Sequence, residues 1–269
     1  CDLLIDRKFP MKAHINGIEM HYEVSGSGPW LTLSHSLAAN TAMWDAQMQA
    51  LNQHFTVLRY DIRGHGQTQA TPGPYTLNQL SDDVHALLVH LGVQSTHWIG
   101  LSLGGMIGQT FAIQHPEMLG HAVIADSSGR GAPNAASMWG DRAKLALSQG
   151  MSPLVEPTLQ RWFTQDYREK NPAVMAQIGQ MIASTPPEGY AGCCGAISGL
   201  DTLDQLRDLR TPCLVIVGEQ DMGTPPAMSE LIHQHWPASS YVVLQNAAHI
   251  SNIEQAQAFT DAVMKFLPH

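Results

Sequence analysis

Short runs of β-branched, aromatic and aliphatic residues recur along the chain, each closed by a polar or glycine-containing turn. They lie at residues 30–34 (WLTLS), 55–60 (FTVLRY), 97–101 (HWIGL), 121–125 (HAVIA), 213–217 (CLVIV) and 241–244 (YVVL). Runs of this length and composition read as buried strands. An earlier pair, residues 13–15 and 18–24, flanks Asn16-Gly17, a dipeptide suited to the positive φ angles of a tight hairpin. Between the strands the period changes. Leu77, Leu80, Val84, Leu87, Leu88 and Leu91 recur at three- and four-residue intervals, predicting a helix with one apolar face that starts near Thr76. Residues 104–115, 226–236 and 251–267 follow later strands in the same way, and Pro226 suits a first helical turn. Alternating strands and helices imply a mostly parallel twisted sheet with helices on both faces, the antiparallel hairpin at one edge.

The alternation stops between about residues 127 and 210, where helical patterns (138–149, 172–183, 189–198) occur without a strand. Because strands resume at Cys213, this stretch is expected to be a helical cap inserted into one α/β core made of residues 11–126 and 211–269. Eight of the 14 basic residues fall in the cap against eight acidic ones, so the core carries the whole net charge of −9. With no basic stripe to neutralise phosphates, a nucleic-acid partner is not expected. Nor does any apolar run reach the length of a bilayer span. Residues 1–10 (CDLLIDRKFP) do not form a secretory signal, since their apolar run covers only residues 3–5. They are expected to be a cloning remnant ahead of Met11, with a cytoplasmic location as the default.

Cys1, Cys193, Cys194 and Cys213 have neither the spacing of a disulfide framework nor that of a zinc site. The 14 histidines include no HExxH or comparable ligand spacing, and His233 and His235 point to different sides of a helix. No metal is expected.

The chemistry concentrates in Gly100-Leu101-Ser102-Leu103-Gly104, which follows a strand and opens a helix. A serine hydroxyl is a weak nucleophile unless it is held out of the backbone and aimed at a base. A sharp strand-to-helix turn achieves this, and the flanking glycines remove side chains that would clash there. In this context the motif predicts an α/β-hydrolase fold with Ser102 as nucleophile. The base is expected to be His249, in the loop after the last strand. His65, in the glycine-rich loop Asp61-Ile-Arg-Gly-His-Gly66, is the competitor and is read as structural. The carboxylate that orients the base is expected to be Asp221, which completes the order Ser, Asp, His. Asp126, also at a strand end, is the alternative, while Glu219 lies too close to its strand. By motif position the backbone N–H groups of Leu37 and Leu103 form the oxyanion hole. Ser25-Gly-Ser-Gly-Pro29 leads into a strand and lacks the lysine of a phosphate loop, so it reads as a turn.

Taken together, SHSLAANTAMWDAQ, RYDIRGHGQT, PGPYTLNQLSDDV, GLSLGGMIGQ, RWFT and AAHISNIEQ resemble the 3-oxoadipate enol-lactonases, from about Asn16 to Leu267. That resemblance implies hydrolysis of a carboxylate-bearing enol-lactone in aromatic-compound catabolism, without cofactor or metal. It places nucleophile, acid and base on Ser102, Asp221 and His249. It also sets Arg130 where the family has an arginine that could hold a substrate carboxylate as a bidentate pair; a solvated surface arginine is the other reading. Trp139 and Trp162 are candidates for pocket lining or for core packing.

Two stretches depart from the family pattern. The family's NSLG is His35-Ser-Leu-Ala38 here, and its NTAA is Asp126-Ser-Ser-Gly129. Both fall beside the expected pocket. Neutral lactones such as acyl-homoserine lactones, and simple esters, are therefore alternative substrates. C–C bond hydrolysis, cofactor-free perhydrolysis and a receptor with negligible turnover complete the alternatives.

Overall fold

The computed structural model describes residues 11–269, so the expectation for residues 1–10 lies outside the described residues. The strands are β1 (Met11–Ile15), β2 (Ile18–Gly26), β3 (Trp30–Ser34), β4 (Thr56–Tyr60), β5 (Thr96–Leu101), β6 (Leu119–Ala125), β7 (Cys213–Gly218) and β8 (Ser239–Leu244). They form one sheet in the order β1-β2-β4-β3-β5-β6-β7-β8. From β4 to β8 every pairing is parallel, and β1 and β2 add an antiparallel edge. The hairpin turn sits at Asn16 and Gly17, with φ of 46° and 78°, as the dipeptide predicts. Each strand in the apolar series forms where expected, with ends displaced by at most two residues.

The first helices are α1 (Asp45–Leu51), α2 (Leu77–His90, capped by the Thr76 hydroxyl) and α3 (Leu103–Gln114). Between β6 and β7 lie α4 (Ala135–Gln149), α5 (Ser152–Trp162), α6 (Gln165–Lys170), α7 (Pro172–Ala183), α8 (Pro187–Ser198) and α9 (Leu203–Leu206). Then follow α10 (Pro226–His235), α11 (Ser251–Glu254) and α12 (Ala256–Phe266). On the sheet, α1 packs with α12, while α2, α3, α9 and α10 form a second contiguous group. Within the inserted stretch, α4 packs on α8 and α5 on α7.

The patterns miss α1, α5, α6 and α9. α5 contains Pro153 in its first turn and Pro157 inside it; prolines remove backbone donors and read as breaks. The single helix expected at 251–267 is two helices, because Gln255 (φ −124°, ψ 53°) leaves the helical region. β3 lies between β4 and β5, so the strand order reverses on either side of it. In such sheets ligands bind at the carboxyl ends of the strands beside that reversal. Ser34 and Leu101 end the two strands there.

Candidate active site

Ser102 occupies the turn from β5 to α3 with φ 56° and ψ −114°. This is strained backbone for a residue with a side chain, and strain of this kind concentrates at functional sites. Two close approaches explain the glycines. A Cβ on Gly100 would lie 2.1 Å from the Gly104 carbonyl oxygen, and one on Gly104 would lie 2.0 Å from that of Ser34. The turn is braced by the Ser102 amide donating to Ala125 O at 2.9 Å and by Ser127 Oγ donating to Ser102 O at 2.9 Å.

His249 lies between β8 and α11, with Nε2 2.9 Å from Ser102 Oγ. Its Nδ1 is 2.9 and 3.0 Å from the two oxygens of Asp221. Asp221 is fixed in turn by the amides of Gly223 (2.7 Å) and Thr224 (3.0 Å) and by the Thr224 hydroxyl (2.9 Å). The imidazole N–H therefore donates to Asp221, leaving Nε2 free to accept from the serine. Burial disfavours the His249 imidazolium, but the charge and hydrogen bond of Asp221 outweigh it and raise the pKa above the ordinary value.

Asp126, the other carboxylate left open by sequence, does not reach His249. Its oxygens accept from the Gly218 amide at 2.8 Å and from the Ser251 hydroxyl. Burial, and then the neighbouring charge of Asp221, push its pKa well above the carboxylate range. His65 is also buried away from the serine. Its Nε2 accepts the Ala38 amide at 3.0 Å, and burial lowers its pKa to about 3, so the ring is neutral.

That contact shapes the loop after β3. Ala38 has φ 59°, and its amide is held by His65. The preceding Leu37 amide and the Leu103 amide at the start of α3 donate to no acceptor among the described residues. Two unengaged N–H groups beside a serine are what a developing oxyanion requires.

The serine and histidine face a cavity of about 190 Å³. Trp139 and Trp162 line it, together with Met138, Arg142, Arg161 and Tyr190 of the inserted helices. Arg130 does not. It is half exposed and paired with Asp201 (2.7 Å) and Asp204 (2.8 Å), so the expected clamp position is occupied by intramolecular ion pairs. Among the described residues no group of three or more His, Cys, Asp or Glu side chains could hold a metal. Nor, among the described residues, is any helix long and apolar enough to cross a membrane.

The sequence profile of the alpha/beta hydrolase fold matches residues 29–256. The chain belongs to that family. Among curated α/β-hydrolases it is 37% identical over 248 residues to 3-oxoadipate enol-lactonase 2 of Acinetobacter baylyi, covering 91% of this chain and 92% of the relative. A crystal structure of the enol-lactonase from Burkholderia xenovorans LB400 superposes with a TM-score of 0.92 at 39% identity, covering 95% of this chain and 99% of that one. A hydrolase from Pseudomonas aeruginosa PA01 superposes with a TM-score of 0.94 at 36% identity, covering 98% and 100%.

The guanidinium groups that line the cavity of this α/β-hydrolase are those of Arg142 and Arg161. Neither has a carboxylate partner among the described residues. Arg142 lies 4.7 Å over the Trp139 ring, and Arg161 donates to the Thr158 hydroxyl at 3.4 Å. Burial and then the charge of Arg142 lower the Arg161 pKa to about 10, so it remains cationic at neutral pH while lacking a counterion. Sequence reasoning missed both. The available signal was RWFT, which places Arg161 immediately before a candidate lining residue, but its helix was masked by prolines. The departures from the family pattern also resolve. His35 turns away from the cavity, Nε2 accepting the Ile62 amide (2.9 Å) and Nδ1 donating to Ser36 O (2.7 Å). Ser127 braces the Ser102 turn, and none of residues 127–129 lines the cavity.

Proposed function

We propose that this α/β-hydrolase opens a small lactone bearing a carboxylate, with 3-oxoadipate enol-lactone as the leading substrate, through an acyl-enzyme on Ser102. One observation carries the reading: two guanidinium groups without counterions share a small cavity with a hydrogen-bonded serine, histidine and aspartate. A carboxylate arriving there supplies the missing partner of Arg142 and Arg161. The cavity is smaller than the roughly 300 Å³ at which drug-sized pockets begin, which disfavours long acyl chains. The curated relative described as an enol-lactonase agrees with a carboxylated lactone.

In this reading Ser102 Oγ attacks the lactone carbonyl while His249 Nε2 takes its proton, and Asp221 holds the resulting imidazolium. The amides of Leu37 and Leu103 receive the oxyanion. Collapse breaks the ring C–O bond, and His249 returns the proton to the departing oxygen, which stays attached to the acyl group as an enol. Water, deprotonated by His249, then attacks the acyl carbon, and as the acyl–Oγ bond breaks His249 returns that proton to Ser102, freeing the serine and the carboxylic acid. Residues 127–210 act as a cap that supplies the arginines and restricts the size of the substrate.

The test is kcat/KM on a matched panel of 3-oxoadipate enol-lactone, a neutral γ-lactone, an acyl-homoserine lactone and p-nitrophenyl acetate. A preference of about a hundredfold for the carboxylated lactone, about 2.7 kcal/mol, is expected. Arg161→Met should remove most of that preference and leave p-nitrophenyl acetate less affected. Equal or better turnover of the neutral substrates overturns the substrate assignment. Ser102→Ala should lower turnover roughly 10⁴- to 10⁶-fold, and near-normal activity in that variant overturns the mechanism.

A further inference from the structure

The base of this site is not held by the sheet alone. Both amides flanking His249 are fixed by contacts to the inserted helices, one directly and one through a buried carboxyl group. The Ile250 amide donates to the Trp162 carbonyl at 3.1 Å. The Ala248 amide donates to Glu254 Oε2 at 2.8 Å. The other oxygen of Glu254 accepts the Thr164 amide at 3.1 Å and the Thr164 hydroxyl at 2.5 Å. Glu254 is only 7% exposed, so these contacts replace its solvation. Trp162 ends α5 and Thr164 caps α6, its hydroxyl accepting the Tyr167 amide at 3.2 Å. Arg161 is the residue immediately before Trp162 and lines the cavity. One short stretch, residues 161–164, therefore carries a cavity arginine and both anchors of the base.

We propose that Glu254 is a positioning residue that couples occupancy of the Arg161 site to the alignment of His249. The inference rests on the carboxylated-substrate reading above. A carboxylate drawn to Arg161 fixes the end of α5, and the Trp162 carbonyl and the Thr164–Glu254–Ala248 bridge carry that constraint to the two residues around the base. Binding energy from the non-reacting end of the substrate is thereby expressed as rate as well as affinity. Among the described residues, no other side chain contacts both the His249 loop and the 161–164 stretch through hydrogen bonds at each end.

Glu254→Gln tests the bridge with little change of shape. A carboxamide has one oxygen and one NH₂, so whichever way it turns, the NH₂ faces an N–H donor at Ala248 or at Thr164. Steady-state kcat and KM would be measured for wild type, E254Q, R161M and the double variant, with the carboxylated lactone and with p-nitrophenyl acetate. E254Q is expected to lower kcat on the lactone about tenfold with KM changed less than about twofold. It should lose much less on p-nitrophenyl acetate, so that the preference between substrates falls. In the R161M background, E254Q should cost less than about threefold on the lactone. Equal losses on both substrates, or independent multiplicative losses in the double variant, overturn the proposal, since a purely structural contact gives those results. If E254Q does not fold, Thr164→Val removes the hydroxyl end of the bridge and must show the same pattern of losses. Wild-type indifference to the substrate carboxylate removes the anionic-substrate reading and this coupling with it. A clear wild-type preference combined with an unchanged E254Q overturns the coupling alone.

Discussion

At the residue scale, two buried carboxylates stand at the same edge of the sheet and have different surroundings. Asp221 meets three donors from residues 223 and 224 in addition to the histidine. Asp126 is fully buried with one amide and one hydroxyl, and its pKa is raised. Asp221→Asn should therefore lower kcat by about 10³- to 10⁴-fold, because an amide there stabilises the wrong imidazole tautomer. Asp126→Asn should cost less than about tenfold, since an amide can reproduce its contacts with Gly218 and Ser251. Comparing kcat for the two variants checks this, and a larger loss in the second would reverse the assignment. Because the His249 pKa is raised and the base must be neutral to accept a proton, kcat/KM should fall on the acid side with an apparent pKa above about 6.5. The sequence could place Ser102 and His249, whose turn and loop have recognisable neighbours. The order Ser, Asp, His favours Asp221 over Asp126, but both follow strands, and the donors that distinguish them leave no pattern in the sequence.

At the element scale, the loop after β3 is held in place by a buried, neutral histidine. His65 accepts the Ala38 amide, one residue beyond the Leu37 amide proposed for the oxyanion. His65→Ala should lower kcat about tenfold or more with KM little changed, an effect smaller than losing an oxyanion donor outright, which costs about 10²- to 10³-fold. An unchanged kcat would show that the loop keeps its shape unaided. Reading the His65 loop as structural from its glycines agrees with its position here. The arginines were illegible for a different reason. The clamp was sought at Arg130 by motif position, yet Asp201 and Asp204, more than seventy residues away in sequence, neutralise that side chain. Contacts of such separation leave no local pattern. In α5, prolines at positions 153 and 157 concealed the helix that carries Arg161.

At the scale of the whole molecule, charge and burial oppose each other. The net charge of −9 repels an anionic substrate over long range, so recognition falls to the two local guanidinium groups. Burial also sets the pH response. His65 is held at about 3 and His97 at about 4, and His35, His115 and His121 are also lowered, burial being the first cause in each. Unfolding frees these rings to bind protons at their ordinary value near 6.5. Below that pH the unfolded chain binds more protons, so stability falls as pH drops from about 6.5, by up to about 1.4 kcal/mol per pH unit for each of the fully buried His35 and His65 rings and by less for the more exposed ones. His249 and Asp126, whose values are raised, act in the opposite sense. With five lowered rings against those two, Tm by calorimetry should decline between pH 7 and pH 5. A flat or rising Tm would contradict this balance.

The inserted helices leave the chain after β6 and rejoin it at β7, and these two strands are hydrogen-bonded neighbours. The sheet thus keeps its register whatever lies between them, so natural recombination or laboratory grafting can exchange the whole insertion in one piece. Such grafts carry a hidden compatibility rule. A donor insertion must present a backbone carbonyl to Ile250 and paired donors to Glu254, as Trp162 and Thr164 do here. Chimeras that satisfy the rule should keep His249 aligned with Ser102 along with a new pocket, and those that ignore it should fold with the two residues out of register.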